Sequence, residues 1–209
     1  MSTIKANAYL DSAGGNTATI NGATPVGTDT AQTLTNKTLT SPTITGATIT
    51  GSTVSGGTIV QGTAVASTSG TAIDFTGIPS WAKRITVMFS GVSLNATGYL
   101  FVQLGTSGGI TTTGYLSTIQ LGSASSNNTT SAFISGGGSQ SYNMSGSMVI
   151  TSMGTGGIWT ETNIVKLDAG SIAWGGGDVT ISGTVDRVRV TNSTSNTFDA
   201  GTINIMYEG

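Results

Sequence analysis

A chain of 209 residues with 32 glycines, 8% charged residues and a net charge of −2 can form one or two domains, but it lacks the basic face that nucleic acid demands. It has no cysteine and no histidine, which excludes disulfides, thiolate metal sites and a Ser-His-acid triad. Its apolar runs are too short for a membrane-spanning helix, and its opening, MSTIKANAYLDS, has no apolar secretory core of roughly 7–15 residues, so the expected route out of a cytoplasm, if any, is another one. Abundant serine and threonine take over the solvating role of charge, as in extracellular all-β proteins.

Residues 1–30 read as a separate segment. Ile4, Ala6 and Ala8 alternate with polar residues, Asp11 to Asn16 is a turn, and Ala18 and Ile20 alternate again before Asn21-Gly22. Such a hairpin-like unit is too short to fold alone, and it is expected to dock on something larger.

From Thr33 to Gly62 the chain repeats every five residues: TLTNK, TLTSP, TITGA, TITGS, TVSGG, TIVQG. A period of five fits neither the ~3.6 of a helix nor the ~2 of a flat strand, and it suits short β steps separated by turns. Thr, Ile and Val fill about half the positions, unlike a flexible linker. The aliphatic positions Leu34, Leu39, Ile44, Ile49, Val54 and Ile59 supply one apolar side chain per unit and no aromatic. One chain cannot build a core from these, whereas three chains winding together place three on the axis at each level. A monomeric pentapeptide β-helix needs about four units per turn, so six units would give too few turns to stand alone. The expectation is a homotrimeric β neck over residues 31–69.

Residues 70–209 alternate apolar and polar over short runs bounded by Gly and Asn. The pattern predicts strands near 83–92, with Ile85, Val87 and Phe89 on one face, 99–105, with Leu100, Val102 and Leu104, and 115–121. Further strands are predicted near 131–135, 146–153, 158–167, 178–183, 185–192 and 201–208. Without helical periodicity this is an all-β chain, with an antiparallel β-sandwich, jelly-roll-like, at its C-terminal end.

Catalysis is not expected. Between Arg84 and Glu161 no residue is charged, and Asp168, Asp178, Asp186 and Asp199 read as turn-capping acids or members of structural ion pairs rather than a hydrolytic carboxylate pair. Gly105-Thr106-Ser107-Gly108-Gly109 spells a nucleophile elbow but, lacking a histidine base, reads as a hairpin loop. No cofactor is expected and no metal site is assigned. Asp186, Arg187 and Arg189 read either as an inter-subunit ion-pair girdle or as an exposed strand face. Asn127, Asn128, Tyr142 and Trp174 fall in predicted Gly/Ser-rich loops at 122–131, 136–146 and 170–177, and pair amides with aromatic faces as sugar recognition requires. Trp81 and Trp159 adjoin strands and read as core.

Asn36–Gly46, NKTLTSPTITG, resembles the repeat of many tailed-phage fibre and appendage proteins. Ile4–Pro25 resembles the opening segment of related phage structural proteins. Gly70–Ser93, Gln103–Tyr115, Ser182–Thr191 and Thr197–Gly209 are similar to a C-terminal domain of phage tail fibres. The resemblance implies a homotrimeric virion component assembled in the host cytoplasm. It would attach to other virion proteins through residues 1–30 and adhere by its C-terminal head to a host surface glycan or protein. Most tail fibres have far more shaft, so the alternative is a non-adhesive head or tail decoration protein.

Overall fold

The structure is a computed structural model, and it describes residues 59–209 except 124, 141, 168 and 169. The predicted anchor segment and the neck positions Leu34, Leu39, Ile44, Ile49 and Val54 lie outside the described residues. Among those described there is no α-helix, and every strand pair is antiparallel.

The larger sheet has nine strands. They run β1 (Ile59–Gln61), β14 (Phe198–Glu208), β4 (Arg84–Leu94), β10 (Met144–Ser152), β11 (Ile158–Lys166), β12 (Ile172–Thr180), β7 (Tyr115–Leu121) and β8 (Ser125–Thr129), with β2 (Val65–Ala66) also on β14. The smaller sheet has five strands: β3 (Ile73–Thr76), β13 (Arg187–Asn192), β5 (Tyr99–Thr106) and β6 (Gly109–Ile110), with β9 (Phe133–Gly137) also on β5.

Alternation decides which side chains form the core. Ile85, Val87 and Phe89 of β4, Met148 and Ile150 of β10, and Leu100, Val102 and Leu104 of β5 are buried in one cluster shared by both sheets. Trp159 is buried there too, and Trp81 packs at its margin with its ring 5.7 Å from that of Tyr207. Ser107 and Gly108 turn the β5–β6 hairpin, with Thr106 opposite Gly109, which gives this glycine-rich stretch a turning role.

The segment 170–177, read from sequence as a loop, lies mostly in β12, and β8 runs through the predicted loop 122–131. Glycine and serine conceal both strands, because these residues carry no apolar alternation. Ile59–Gln61 and Val65–Ala66, assigned from sequence to the neck, pair with β14.

Tyr115 ties the layers together. Its ring meets Phe133 edge to face at 5.0 Å. Its hydroxyl accepts the Leu104 amide at 2.8 Å and donates to the Thr111 carbonyl at 3.2 Å. Burial pushes the phenol up to about 12. Tyr115→Phe keeps the ring but strands the Leu104 N–H, and urea denaturation is expected to register a loss of about 1–3 kcal/mol.

Candidate functional site

The outward face of the larger sheet is neutral over most of its area and carries exposed apolar side chains. In β12 the odd-numbered Ala173 and Val179 point inward, so Trp174, Gly176 and Asp178 point outward. Trp174, 45% exposed, sits between Ile164 of β11, 65% exposed, and Gln120 of β7. Ile172 extends this apolar area along β12, and Leu116 stands opposite Asp178. Between Trp174 and Asp178, Gly176 leaves backbone uncovered. A Cβ there would meet only the Glu161 carbonyl, at 3.4 Å. Thr162 and Thr118 flank that bare patch, and Asn128 of β8 follows Thr118. An indole beside bare backbone, bordered by hydroxyls and an amide, is a surface on which a polyhydroxylated ring can lie.

The predicted ligand-binding set is divided by the fold. Trp174 and Asn128 share the outward face, both on strands rather than loops. Asn127 pairs with the inward-facing Ile119 and points the other way. Tyr142 lies in the connection from β9 to β10, half-buried against the core. A Cβ on Gly138 would come within 3.9 Å of the Tyr142 and Tyr99 rings and 3.6 Å of Leu121, so these groups close one end of the core.

That same end gathers several connections. Asn196 Nδ2 donates to the Thr97 carbonyl, the Gly138 amide to the Gly98 carbonyl, and the Gly122 amide to the Ile172 carbonyl. β1 begins at the other end, where Ile59, Glu208, Arg84 and Thr151 are aligned in register. Ile59 itself is 63% exposed. A cleft of about 220 Å³ at this second end is lined by Lys83, Ser152, Trp159, Thr184 and the Gly154–Gly157 turn. Among the described residues that line it there is no carboxylate.

The charges considered for a girdle are paired within one chain. Asp186 precedes β13 and binds its neighbour, with Arg187 Nε 2.7 Å from Oδ1. Arg189 reaches across to Asp74 of β3 with two contacts of 2.7 Å. The hydrogen bond from Arg189 holds the Asp74 carboxyl below its usual range, and that from Arg187 does the same for Asp186. Asp178 is exposed, and Asp199 accepts a hydrogen bond from Ser93 Oγ. Among the described residues no group of three or more His, Cys, Asp or Glu is placed to hold a metal ion.

The most unusual chemistry is interior and was missed from the sequence. Glu161 is 3% exposed. Its Oε1 accepts from Ser117 Oγ at 3.2 Å and its Oε2 from Asn163 Nδ2 at 3.0 Å. Ser117 Oγ also accepts the Ile134 amide at 3.0 Å, and Asn163 Nδ2 also donates to the Ile134 carbonyl at 3.1 Å. Desolvation leads among the causes that push the Glu161 carboxyl up to about 7, against the hydrogen bonds from Asn163 and Ser117. The available signal was alternation in β11, where Glu161 and Asn163 share the inward register of Trp159 and Val165.

Among the described residues, fold and surfaces define an all-β, two-sheet domain with an outward face neutral over most of its area and a buried cluster around Glu161. The chain matches no protein-family model, no curated protein and no solved structure with which it was compared.

Proposed function

We propose that the protein is a phage-type virion appendage, anchored through residues 1–30 and trimerised by the pentad repeat, whose two-sheet head adheres to a cell surface without catalysis. The observation that carries the adhesive part is the Trp174 surface: an exposed indole and Ile164 next to bare Gly176 backbone on a strand-built, largely uncharged face. The placement of β1 also supports it, since the chain enters the sheet at the end opposite the Tyr99–Tyr142 connections. The anchor, the trimer and the virion setting rest on the resemblance of Ile4–Pro25, Asn36–Gly46 and the C-terminal stretches. Three weak sites on one stem gain avidity through effective concentration, and a neutral contact keeps binding insensitive to salt.

Fluorescently labelled full-length protein is expected to bind a panel of bacterial cells saturably, with Trp174→Ala weakening binding by about tenfold or more, as losing one aromatic contact of ~1.4 kcal/mol at each site implies. Native mass spectrometry is expected to give a trimer mass, and a monomer would sink the assembly. Attachment to virions without attachment to any cell would favour the decoration role. Release of oligosaccharide from cell-wall glycan would overturn the non-catalytic reading.

A further inference from the structure

β9 is buried along its whole length, so its backbone groups need partners on both edges. One edge pairs with β5. On the other edge the N–H and C=O of Ile134 are taken by two side chains, Ser117 of β7 and Asn163 of β11. Both are in turn fixed by Glu161. This edge strand of the smaller sheet is thus fastened to the larger sheet by two side chains that share one carboxyl group.

We propose that Glu161 is a proton-controlled clasp: protonated, it fastens β9 to the larger sheet, and ionised, it releases that strand's inner edge. The neutral acid keeps an acceptor oxygen for each contact, Ser117 Oγ–H donating to Oε1 and Asn163 Nδ2 to Oε2, while Ser117 Oγ still accepts the Ile134 amide. The carboxylate has the same two donors and no cation. Facing it are Ser117 and, one inward step along β7, Tyr115; Ile134 of β9; Ile150 of β10; Gly177 of β12; and Trp159 and Asn163 of its own strand. Tyr115 is the one titratable group among these, and its raised phenol stays neutral over the same range. Asp178 and Lys166 occupy outward positions on their strands. Asn163 Oδ1 and Ser135 Oγ are buried without a hydrogen-bond partner, and the Asn163 oxygen brings lone pairs rather than a donor. An ionised acid in such a place is destabilised until water reaches it, and opening the β9 edge admits water.

The direction follows from linkage. The folded chain holds this proton more tightly than the unfolded chain, whose value is near 4.5. Stability from this group is therefore complete below about pH 4.5 and is lost as pH rises through about 7. The chain has just two glutamates, Glu161 and Glu208, so full-length protein labelled with 13Cδ-glutamate gives two carboxyl signals. One is expected to titrate near pH 7 and to vanish in Glu161→Gln. Hydrogen-exchange protection of the Ile134 amide, corrected for intrinsic rate, is expected to fall by up to about tenfold per pH unit between about pH 4.5 and 7 in wild type, to level off above that range, and to stay level throughout in Glu161→Gln. Titration of both signals in the ordinary carboxylate range would overturn the clasp, as would Ile134 protection that changes with pH equally in both proteins. If Glu161→Gln does not fold, the wild-type titration and the Ile134 protection profile decide alone.

Discussion

Gly177→Ala is expected to cost about 3 kcal/mol or more, while Gly176→Ala, one residue away, changes stability by less than about 1 kcal/mol. The two glycines are neighbours on β12 with opposite duties. A Cβ at Gly177 would lie 2.5 Å from the Leu116 carbonyl oxygen and 2.8 Å from Ser117 Cα and Cβ. Much of that obstruction is backbone and cannot swing aside. Gly177 stands between Glu161 on β11 and Ser117 on β7, so its missing side chain is what lets the carboxyl reach across a whole strand. Gly175 does the same for Asn163, whose Nδ2 would be 3.0 Å from an added Cβ. Gly176 faces outward and meets only the Glu161 carbonyl, at 3.4 Å. Urea denaturation of the three alanine variants checks this. Similar losses at all three positions would show that the glycines serve strand flexibility rather than the crossing.

Asn163→Leu is expected to lower stability by about 2–4 kcal/mol although it nearly preserves volume. The leucine leaves the Ile134 carbonyl without its partner and takes from Glu161 one of two donors. Both lost contacts are buried, so water cannot replace them without opening β9. Equilibrium unfolding in urea at a pH below 6 reads the polar loss while Glu161 is mainly protonated. A change under 1 kcal/mol would mean that β9 keeps its place by apolar packing alone, with Phe133 and Ile134 sufficient.

The strands with strong alternation were legible in the sequence. β4, β5, β7, β11 and the greater part of β14 fall close to the predicted ranges, because Ile, Val, Leu and Phe at every second position leave one burial pattern. β8, Ser125–Thr129, and the Gly175–Gly177 part of β12 were not, since serine, asparagine and glycine are as common in loops as in strands whose partners impose the pairing. For the candidate site, Trp174 and Asn128 lie on strands rather than in the loops expected from sequence. Only the pairing of β12, β7 and β8 puts them on one face and turns Asn127 away.

What the sequence determined by itself is the all-β character, the absence of cysteine and histidine chemistry, and the pentad repeat, since these follow from composition and period alone. The tertiary structure decided which polar residues are buried and what they hold. Glu161, Asn163 and Ser117 lie far apart from Ile134 along the chain or on different strands, and each looks like an ordinary polar residue in its own segment. They become a cluster because antiparallel register aligns Glu161, Gly177 and Ser117 in one row, and because β9, buried with one unpaired edge, must find a donor and an acceptor there. Hydrogen-bond satisfaction in a dry core depends on where strands meet, and local sequence carries no record of that.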